Sequence, residues 1–205
     1  MSNPPLSNPL SDNSLDQLFR TARTRRGWTD EPTPEVLIRA TYDLLKMAPT
    51  ASNICPARFM FIHTQEAKAR LEPHLDEGNR KQSMGAPYTA IVAYDLDFVA
   101  QLPKLIPHAP NAKDWFADPK NAEWNAIQSG TLQGAYLIIA ARSLGLDCGP
   151  MGGFSREGID KEFFLSDPVM KTWRSNFLVN IGHGDDTRLR PRAPRLDFDE
   201  ACRIL

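Results

Sequence analysis

Residues 123–144, EWNAIQSGTLQGAYLIIAARSL, form the longest helical pattern in the chain. Small and apolar side chains recur through it at helical spacing, namely Ala126, Leu132, Ala135, Tyr136, Ile139 and Ala140. A helix with so broad an apolar surface is expected to lie centrally and to pack on most of its sides.

Shorter segments on both sides of this helix alternate between extended and helical patterns. Short apolar runs predict strands at residues 59–62, 89–94 and 177–181. Helices are predicted at residues 14–21, 35–47, 65–71 and 77–84. Helices that separate hydrophobic strands indicate an α/β or α+β sandwich rather than a β-barrel. The segment Gln101–Ala122 contains four prolines and is expected to form a long loop over a site.

Length and composition are those of a soluble single-domain enzyme. The 205 residues carry a formal net charge of −1, so no strong field would recruit nucleic acid or an anionic membrane. No run approaches the roughly 20 apolar residues of a membrane span, and no signal peptide is recognisable, so a cytoplasmic location is expected. Residues 1–13 are expected to be a flexible tail and residues 14–205 a single domain.

Several kinds of catalytic site find little support in the sequence. The three cysteines and four histidines are scattered without metal-type spacing, so no metal site is predicted. A nucleophilic Cys–His pair stays open, although no known motif surrounds Cys55 or Cys148. The glycines at 149, 152 and 153 match neither the P-loop nor the dinucleotide fingerprint.

Two arginine pairs near opposite ends of the chain, Arg23 with Arg26 and Arg192 with Arg195, suggest that the fold brings the ends together around one anion. A phosphate needs several fixed donors, and a guanidinium can meet it with two parallel hydrogen bonds. Two loops rich in proline or glycine lie between these pairs, at residues 48–53 and 149–154. Because glycine lets the backbone approach a flat ligand closely, these features together predict a phosphorylated, planar cofactor.

Simpler interpretations stay open at this point. The arginines could be ordinary solvated surface residues, and Gly152–Gly153 could make only a tight turn. Trp115 and Phe116 could form a small hydrophobic cluster beneath the long loop, or a lid that stacks over the cofactor.

The segment ARTRRGW at residues 22–28 resembles the initial segment of the FMN-dependent nitroreductase family. Further motifs follow in the family's order, namely APTASNICP at 48–56, GNRKQ at 78–82, GPMGGF at 149–154, IGHG at 181–184 and PRL at 194–196. The resemblance implies FMN binding by Arg23, Thr24, Arg26, Pro49, Thr50, Asn53, Asn79, Gln82, Pro150, Met151, Gly152, Gly153, Arg192 and Arg195.

The resemblance also implies a nitroreductase-like α+β fold, with a central, mostly antiparallel sheet flanked by helices, and a homodimer. In the family, the loop corresponding to residues 49–53 reaches the flavin ring from the other chain. FMN carries the hydride, so no separate catalytic residue is expected, and NADPH or NADH would be the co-substrate.

The chain departs from the family's pattern at four positions. Ala193 stands where a lysine is usual, so either Arg192 takes over that contact or the contact is absent. Gln82 replaces a lysine that often touches the ring, and it should stabilise reduced, anionic flavin less well. Gly152 replaces a glutamate, and Cys55, expected to be a small buried thiol, replaces a glutamine.

Finer features resemble the malonic semialdehyde reductase branch of the family, including the closing PRLDFDEAC at residues 194–202. That branch reduces 3-oxopropanoate to 3-hydroxypropanoate in pyrimidine degradation. Its substrate carboxylate would need a cation, for which the sequence offers Arg58, Arg80, Lys104, Lys113 and Arg156. Trp115 and Phe116 are the candidate substrate contacts. The alternatives are a broad-specificity nitro- or quinone reductase and a non-catalytic flavin-binding protein.

Overall fold

The computed structural model describes residues 8–205, which contain one four-stranded sheet. The strands are β1 (Ala57–Ile62), β2 (Tyr88–Asp95), β3 (Asp147–Met151) and β4 (Trp173–Gly182), in the order β1-β2-β4-β3. All neighbouring strands are antiparallel. With helices on its faces, this sheet confirms the predicted α+β class.

The helices of the described residues flank this sheet. They are α1 (Asp12–Leu15), α2 (Glu35–Leu45), α3 (Gln65–Leu71), α4 (Glu77–Met84), α5 (Leu102–Leu105), α6 (Pro119–Ser143), α7 (Arg156–Phe163) and α8 (Phe198–Ala201). The helices predicted at residues 35–47, 65–71 and 77–84 are confirmed to within two residues. No helix in this part of the chain is long and apolar enough to cross a membrane.

The central strands are buried on both faces, because alternate residues enter separate hydrophobic clusters. Val92 of β2 lies in the same cluster as Leu137 of α6, whereas its neighbour Ile91 lies with Ile159 of α7. A strand covered on both faces reads as a continuous apolar run, which is why residues 89–94 are recognisable from sequence.

The segment Gln101–Ala122 is not the long loop that its prolines predict. It contains α5, a short 3₁₀ helix at Ala112–Phe116 and the start of α6. Its apolar residues form a third cluster, in which Ala112 is buried with Phe98. Two of its prolines lie in the first turns of α5 and α6, where proline is tolerated because the missing N–H would be unpaired anyway.

The long helix α6 packs on one side only within this chain, so the prediction that it packs on most sides is wrong for the chain taken alone. Its buried face is built mainly from small residues such as Ala126 and Ala140, together with Leu137. Leu132 and Tyr136 lie on the opposite face, where they are 46% and 37% exposed. An apolar face is therefore left uncovered.

Other boundaries also differ from the predictions. Residues 149–151, expected in a loop, belong to the edge strand β3, and the patterns do not predict α7 at all. α1 begins at Asp12, capped by the Ser11 hydroxyl, so residues 12–13 are helical rather than part of a flexible tail. The first seven residues of that predicted tail lie outside the described residues.

Candidate functional site

The segment that follows α1 runs beside the edge strand β3. Thr24 forms a parallel bridge with Cys148, and the Arg25 amide donates to the Cys148 carbonyl at 3.0 Å. Gly149 is required here, since a Cβ on it would lie 2.5 Å from the Arg25 carbonyl oxygen. The largely buried guanidinium of Arg25 pairs with Asp147 at 3.1 Å, so Arg25 fixes this segment in place.

The two chain ends meet at a cavity of about 590 Å³, here called the basic cavity. Its lining contains no Asp or Glu and seven arginines: Arg23, Arg26, Arg142, Arg188, Arg190, Arg192 and Arg195. Among residues 8–205, none of these arginines forms an ion pair. Such a concentration of uncompensated positive charge suits the binding of an anion such as phosphate.

Hydrogen bonds join the two chain segments that line the basic cavity. Arg23 donates to the Arg190 carbonyl at 2.5 Å, and Arg192 donates to the Ala22 carbonyl at 2.8 Å. Arg192 and Arg195 thus line the same cavity.

Three arginines of the basic cavity are missed by the sequence patterns: Arg142, Arg188 and Arg190. Arg142 is the one charged residue between positions 124 and 144, and that isolation inside an apolar helix was an available signal. Its Nε is buried without a hydrogen-bond partner in the described residues. Arg188 lies over Gly27, where its Cδ leaves no room for a Cβ.

A second pocket of about 260 Å³, here called the adjoining pocket, shares Thr24 and Arg26 with the basic cavity. Its other lining residues are Arg25, Asn79, Gln82, Gly149, Pro150, Met151, Gly152 and Gly153. The fold therefore brings the predicted positions of α4 and of the β3 end to the same place as the N-terminal arginines.

Asn79 ties α4 to the loop after β3. Its Nδ2 donates to the Gly153 carbonyl at 2.8 Å, and its Oδ1 accepts from Gln82 Nε2 at 2.6 Å. A Cβ on Gly153 would lie 2.6 Å from Asn79 Nδ2, whereas nothing lies within 4 Å of a Cβ on Gly152. A side chain at 153 would therefore displace Asn79 and Asp76, whereas Gly152 faces open space.

The predicted loop containing Pro49, Thr50 and Asn53 lies elsewhere in this chain, and it lines neither the basic cavity nor the adjoining pocket. Asn53 Nδ2 donates to the Leu105 carbonyl of α5 at 3.0 Å. Asn53 also borders a separate cavity with Trp115. One chain thus assembles the other predicted positions but leaves this loop apart from them.

The backbone of this loop is strained. Ser52, Asn53 and Cys55 have φ values of 46°, 56° and 40°, a left-handed conformation that costs non-glycine residues about 1–3 kcal/mol each. Cys55 is half-buried rather than buried as predicted, because its thiol turns to the Asn53 Oδ1 at 3.3 Å and borders a surface pocket.

Trp115 and Phe116 have different environments. Phe116 contacts Phe98 edge-on, with ring centroids 5.0 Å apart, inside the third hydrophobic cluster. Trp115 is 46% exposed and borders the cavity beside Ser52 and Asn53. The cluster interpretation therefore holds for Phe116, and only Trp115 is free to contact a ligand.

The remaining groups give little sign of other chemistry. Burial raises the pKa of the Cys148 thiol to about 12, so this cysteine is not an activated nucleophile. In residues 8–205 no three His, Cys, Asp or Glu side chains gather where they could hold a metal ion.

Comparisons with known proteins agree with this architecture. The sequence matches the model of the Nitroreductase family over residues 7–183. A protein of Stenotrophomonas maltophilia (strain R551-3), provisionally named an NADH dehydrogenase/NAD(P)H nitroreductase, is 52% identical over 200 residues, which are 97% of this chain and 100% of that one.

Two solved structures show the same fold at low sequence identity. A nitroreductase-type protein from Bacillus subtilis superimposes with a TM-score of 0.81 at 17% identity, covering 94% of this chain and 99% of the other. One from Exiguobacterium sibiricum, solved in complex with FMN, has a TM-score of 0.81 at 18% identity and covers 97% and 100%. Since the family match spans most of the sequence and a relative is more than half identical along its length, this chain belongs to the nitroreductase family.

Proposed function

We propose that this protein is an FMN-dependent NAD(P)H oxidoreductase that holds FMN across the basic cavity and the adjoining pocket. The observation that carries the proposal is that Thr24 and Arg26 line both spaces, which places the basic cavity and the adjoining pocket next to each other. FMN has a matching layout, with a dianionic phosphate at one end and a flat ring at the other. The FMN bound to the Exiguobacterium protein supports the same choice of ligand.

The residues present fit this ligand. The phosphate would lie among Arg23, Thr24, Arg26, Arg192 and Arg195, which supply charge-assisted donors without a competing carboxylate. The ring would lie against Asn79, Gln82, Pro150, Met151, Gly152 and Gly153. Because Gly152 projects nothing into the space beside it, the backbone there can approach the ring closely.

When bound, FMN would supply the hydride chemistry, taking a hydride from NADPH or NADH and passing it to an acceptor. The side chains of this protein hold the phosphate, orient the ring and set its electrostatic surroundings. This division of labour explains why the site contains no acid–base pair.

We further propose that the functional unit is a homodimer in which the loop at residues 49–53 completes the site of the partner subunit. Two observations support this. The loop lies apart from the adjoining pocket of its own chain. Leu132 and Tyr136 of α6 are exposed, and so is Tyr42 of α2, the helix that packs on α6; exposed large apolar side chains on packed helices are typical of an interface.

For the acceptor, we propose malonic semialdehyde, which would be reduced to 3-hydroxypropanoate in pyrimidine degradation. Of the candidate cations for its carboxylate, Arg58 is already paired with Asp95. Lys104 of α5 is adjacent to Leu105, whose carbonyl accepts from Asn53 of the loop that would reach the site of the partner subunit. Lys104 is therefore the cation that we place at the substrate carboxylate.

The alternative is a broad-specificity nitro- or quinone reductase, which the name of the Stenotrophomonas relative favours. The exposed Trp115 beside Ser52 and Asn53 would suit a flat aromatic acceptor. A non-catalytic flavin-binding protein is the second alternative, and it would keep its oxidised spectrum when NADPH is added.

Steady-state turnover on one preparation separates these functions. NADPH-driven reduction of 3-oxopropanoate should exceed that of the neutral analogue propanal by at least ~10-fold in kcat/KM, the value of one charge-assisted contact. Lys104→Met should remove that preference and leave turnover of a quinone unchanged. Equal or faster reduction of a nitroarene and a quinone by the wild type would favour the broad-specificity reductase instead.

A further inference from the structure

A lysine is buried behind the adjoining pocket. Lys68 of α3 is only 5% exposed. Its ammonium donates to the carbonyls of Ser83 at 2.6 Å and Ala86 at 2.5 Å, and lies 3.5 Å from the Thr89 hydroxyl. None of the ion pairs among residues 8–205 includes Lys68. Its charge is therefore balanced only by dipoles.

Burying a charge without a counter-ion is expensive. Desolvation lowers the pKa of Lys68 to about 8, which still leaves the ammonium as the main form at neutral pH. Ser83 O and Ala86 O lie at the C-terminal end of α4 and just beyond it, where a helix presents partial negative charge. The cation is thus tolerated because it caps α4.

Two routes lead from Lys68 to the adjoining pocket. Ser83, which accepts from Lys68, directly follows Gln82, whose side chain is bonded to Asn79. Both Gln82 and Asn79 line that pocket. The ammonium therefore binds the residue that directly follows Gln82, and Gln82 belongs to the wall that α4 contributes to the pocket.

The second route is a chain of buried polar side chains. The Thr89 hydroxyl donates to Asn180 Oδ1 at 2.7 Å, and Asn180 Nδ2 donates to the Ser83 hydroxyl at 3.2 Å. That hydroxyl donates in turn to the Met151 Sδ at 3.4 Å. Met151 also lines the adjoining pocket. Thr89, Asn180 and Ser83 are each fully buried, so little water screens the charge along this route.

The charge matters because reduction makes the bound ring anionic. A hydride from NAD(P)H delivers two electrons and one proton, so NAD(P)⁺ leaves and the flavin gains one negative charge. At position 82 the pocket has a neutral glutamine. We propose that Lys68 is the buried cation that stabilises the reduced flavin from behind α4. This inference rests on the proposed binding of FMN.

Three substitutions separate charge from packing. Lys68→Met removes both charge and donors, Lys68→Gln keeps donors without charge, and Lys68→Arg keeps the charge. Thr89→Val breaks the hydrogen-bond chain and leaves the ammonium in place. Lys161→Met, at an exposed position of α7, is the matched control for loss of a lysine.

The test compares the Kd of oxidised FMN with the midpoint potential of the bound flavin in each variant. Both neutral variants should lose affinity for reduced FMN about tenfold more than for oxidised FMN, a lowering of about 30 mV for this two-electron couple. Lys68→Arg, Thr89→Val and the control should keep the wild-type potential.

Other outcomes overturn the inference in distinguishable ways. An unchanged potential in both neutral variants would refute the role of Lys68 alone, with FMN binding intact. A Thr89→Val potential as low as that of Lys68→Met would assign the effect to hydrogen bonding. Failure of both neutral variants to fold would assign Lys68 to stability only. Wild-type protein that cannot bind FMN would overturn the proposed function together with this inference.

Discussion

At the scale of single residues, the arginines of the basic cavity are cations without counter-ions. Seven guanidinium groups line one space without a carboxylate, and their mutual repulsion opposes folding unless an anion enters. Binding a phosphate there relieves the repulsion and forms charge-assisted hydrogen bonds at the same time. The ligand is therefore expected to stabilise the fold as well as serve the reaction.

Removing one phosphate contact should weaken FMN binding without unfolding the chain. A charge-assisted hydrogen bond contributes roughly 1.5–3 kcal/mol, so Arg23→Ala or Arg195→Ala should raise the Kd of FMN by about one to two powers of ten. Fluorescence titration of each apo variant measures this. Arg70→Ala, at the exposed ion pair between Arg70 of α3 and Glu162 of α7, is the control, and wild-type affinity in both cavity variants would exclude the assignment.

The two neighbouring glycines should respond differently to one added methyl group. Gly153→Ala would place a Cβ 2.6 Å from Asn79 Nδ2 and 2.7 Å from Asp76 Oδ2. Displacing Asn79 should lower the free energy of unfolding of the apo protein by roughly 1 kcal/mol, the value of one hydrogen bond, and weaken FMN binding as well. Gly152→Ala meets no protein atom within 4 Å, so it should leave the stability of the apo protein unchanged and weaken FMN binding only, because its methyl group enters the space proposed for the ring. Urea unfolding and FMN titration of both variants measure this, and equal stabilities of the two apo variants would contradict the prediction.

Lys68 should make the free energy of unfolding depend on pH above neutrality. Burial lowers its pKa from an ordinary value of 10.5 to about 8. Between these values the unfolded chain binds more protons than the folded one, so stability rises with pH; below about pH 8 both states are protonated and the contribution is constant.

Relative to Lys68→Met, the wild type should therefore gain about 2 kcal/mol between roughly pH 7.5 and 9.5. Urea unfolding of both proteins at the two pH values measures the difference. A gap that stays constant across this range would mean that Lys68 titrates normally in the folded state.

At the scale of elements, strands and helices are best predicted from the sequence where their burial produces a clear apolar pattern. β2 is covered on both faces and reads as an unbroken apolar run, and α3 and α4 match their predicted bounds. β3 is missed because glycine and proline mark it as a loop. An edge strand tolerates proline because one side of it needs no ladder donor. Here that strand also contributes Gly149, Pro150 and Met151 to the adjoining pocket.

The limits of prediction are similar for the site residues. Arg23, Arg26, Arg192 and Arg195 are recognisable because they cluster near the chain ends. Arg142 is missed because it reaches the cavity only when the end of α6 packs beside residues 18–24. Local sequence patterns do not show such a tertiary contact. The uncovered face of α6 is missed because an apolar pattern predicts that a helix face is buried but does not show which surface buries it.

At the scale of the whole molecule, the exposed face of α6 should hold two subunits together. Leu132→Glu with Tyr136→Glu would place charges in that interface, and light scattering should then change from about twice the 23.0 kDa chain mass to the monomer mass. FMN affinity should fall with it, because the loop at residues 49–53 would no longer reach a partner. Val169→Glu, at an exposed apolar residue outside this face, is the control.

If this molecule holds a flavin that NAD(P)H can reduce, the visible spectrum of the purified protein will show it. After incubation with FMN and removal of unbound ligand, the protein should keep the yellow absorption of oxidised flavin. Anaerobic NADPH or NADH should then bleach it, and an acceptor should restore it. A protein that stays colourless after incubation with FMN would contradict the account.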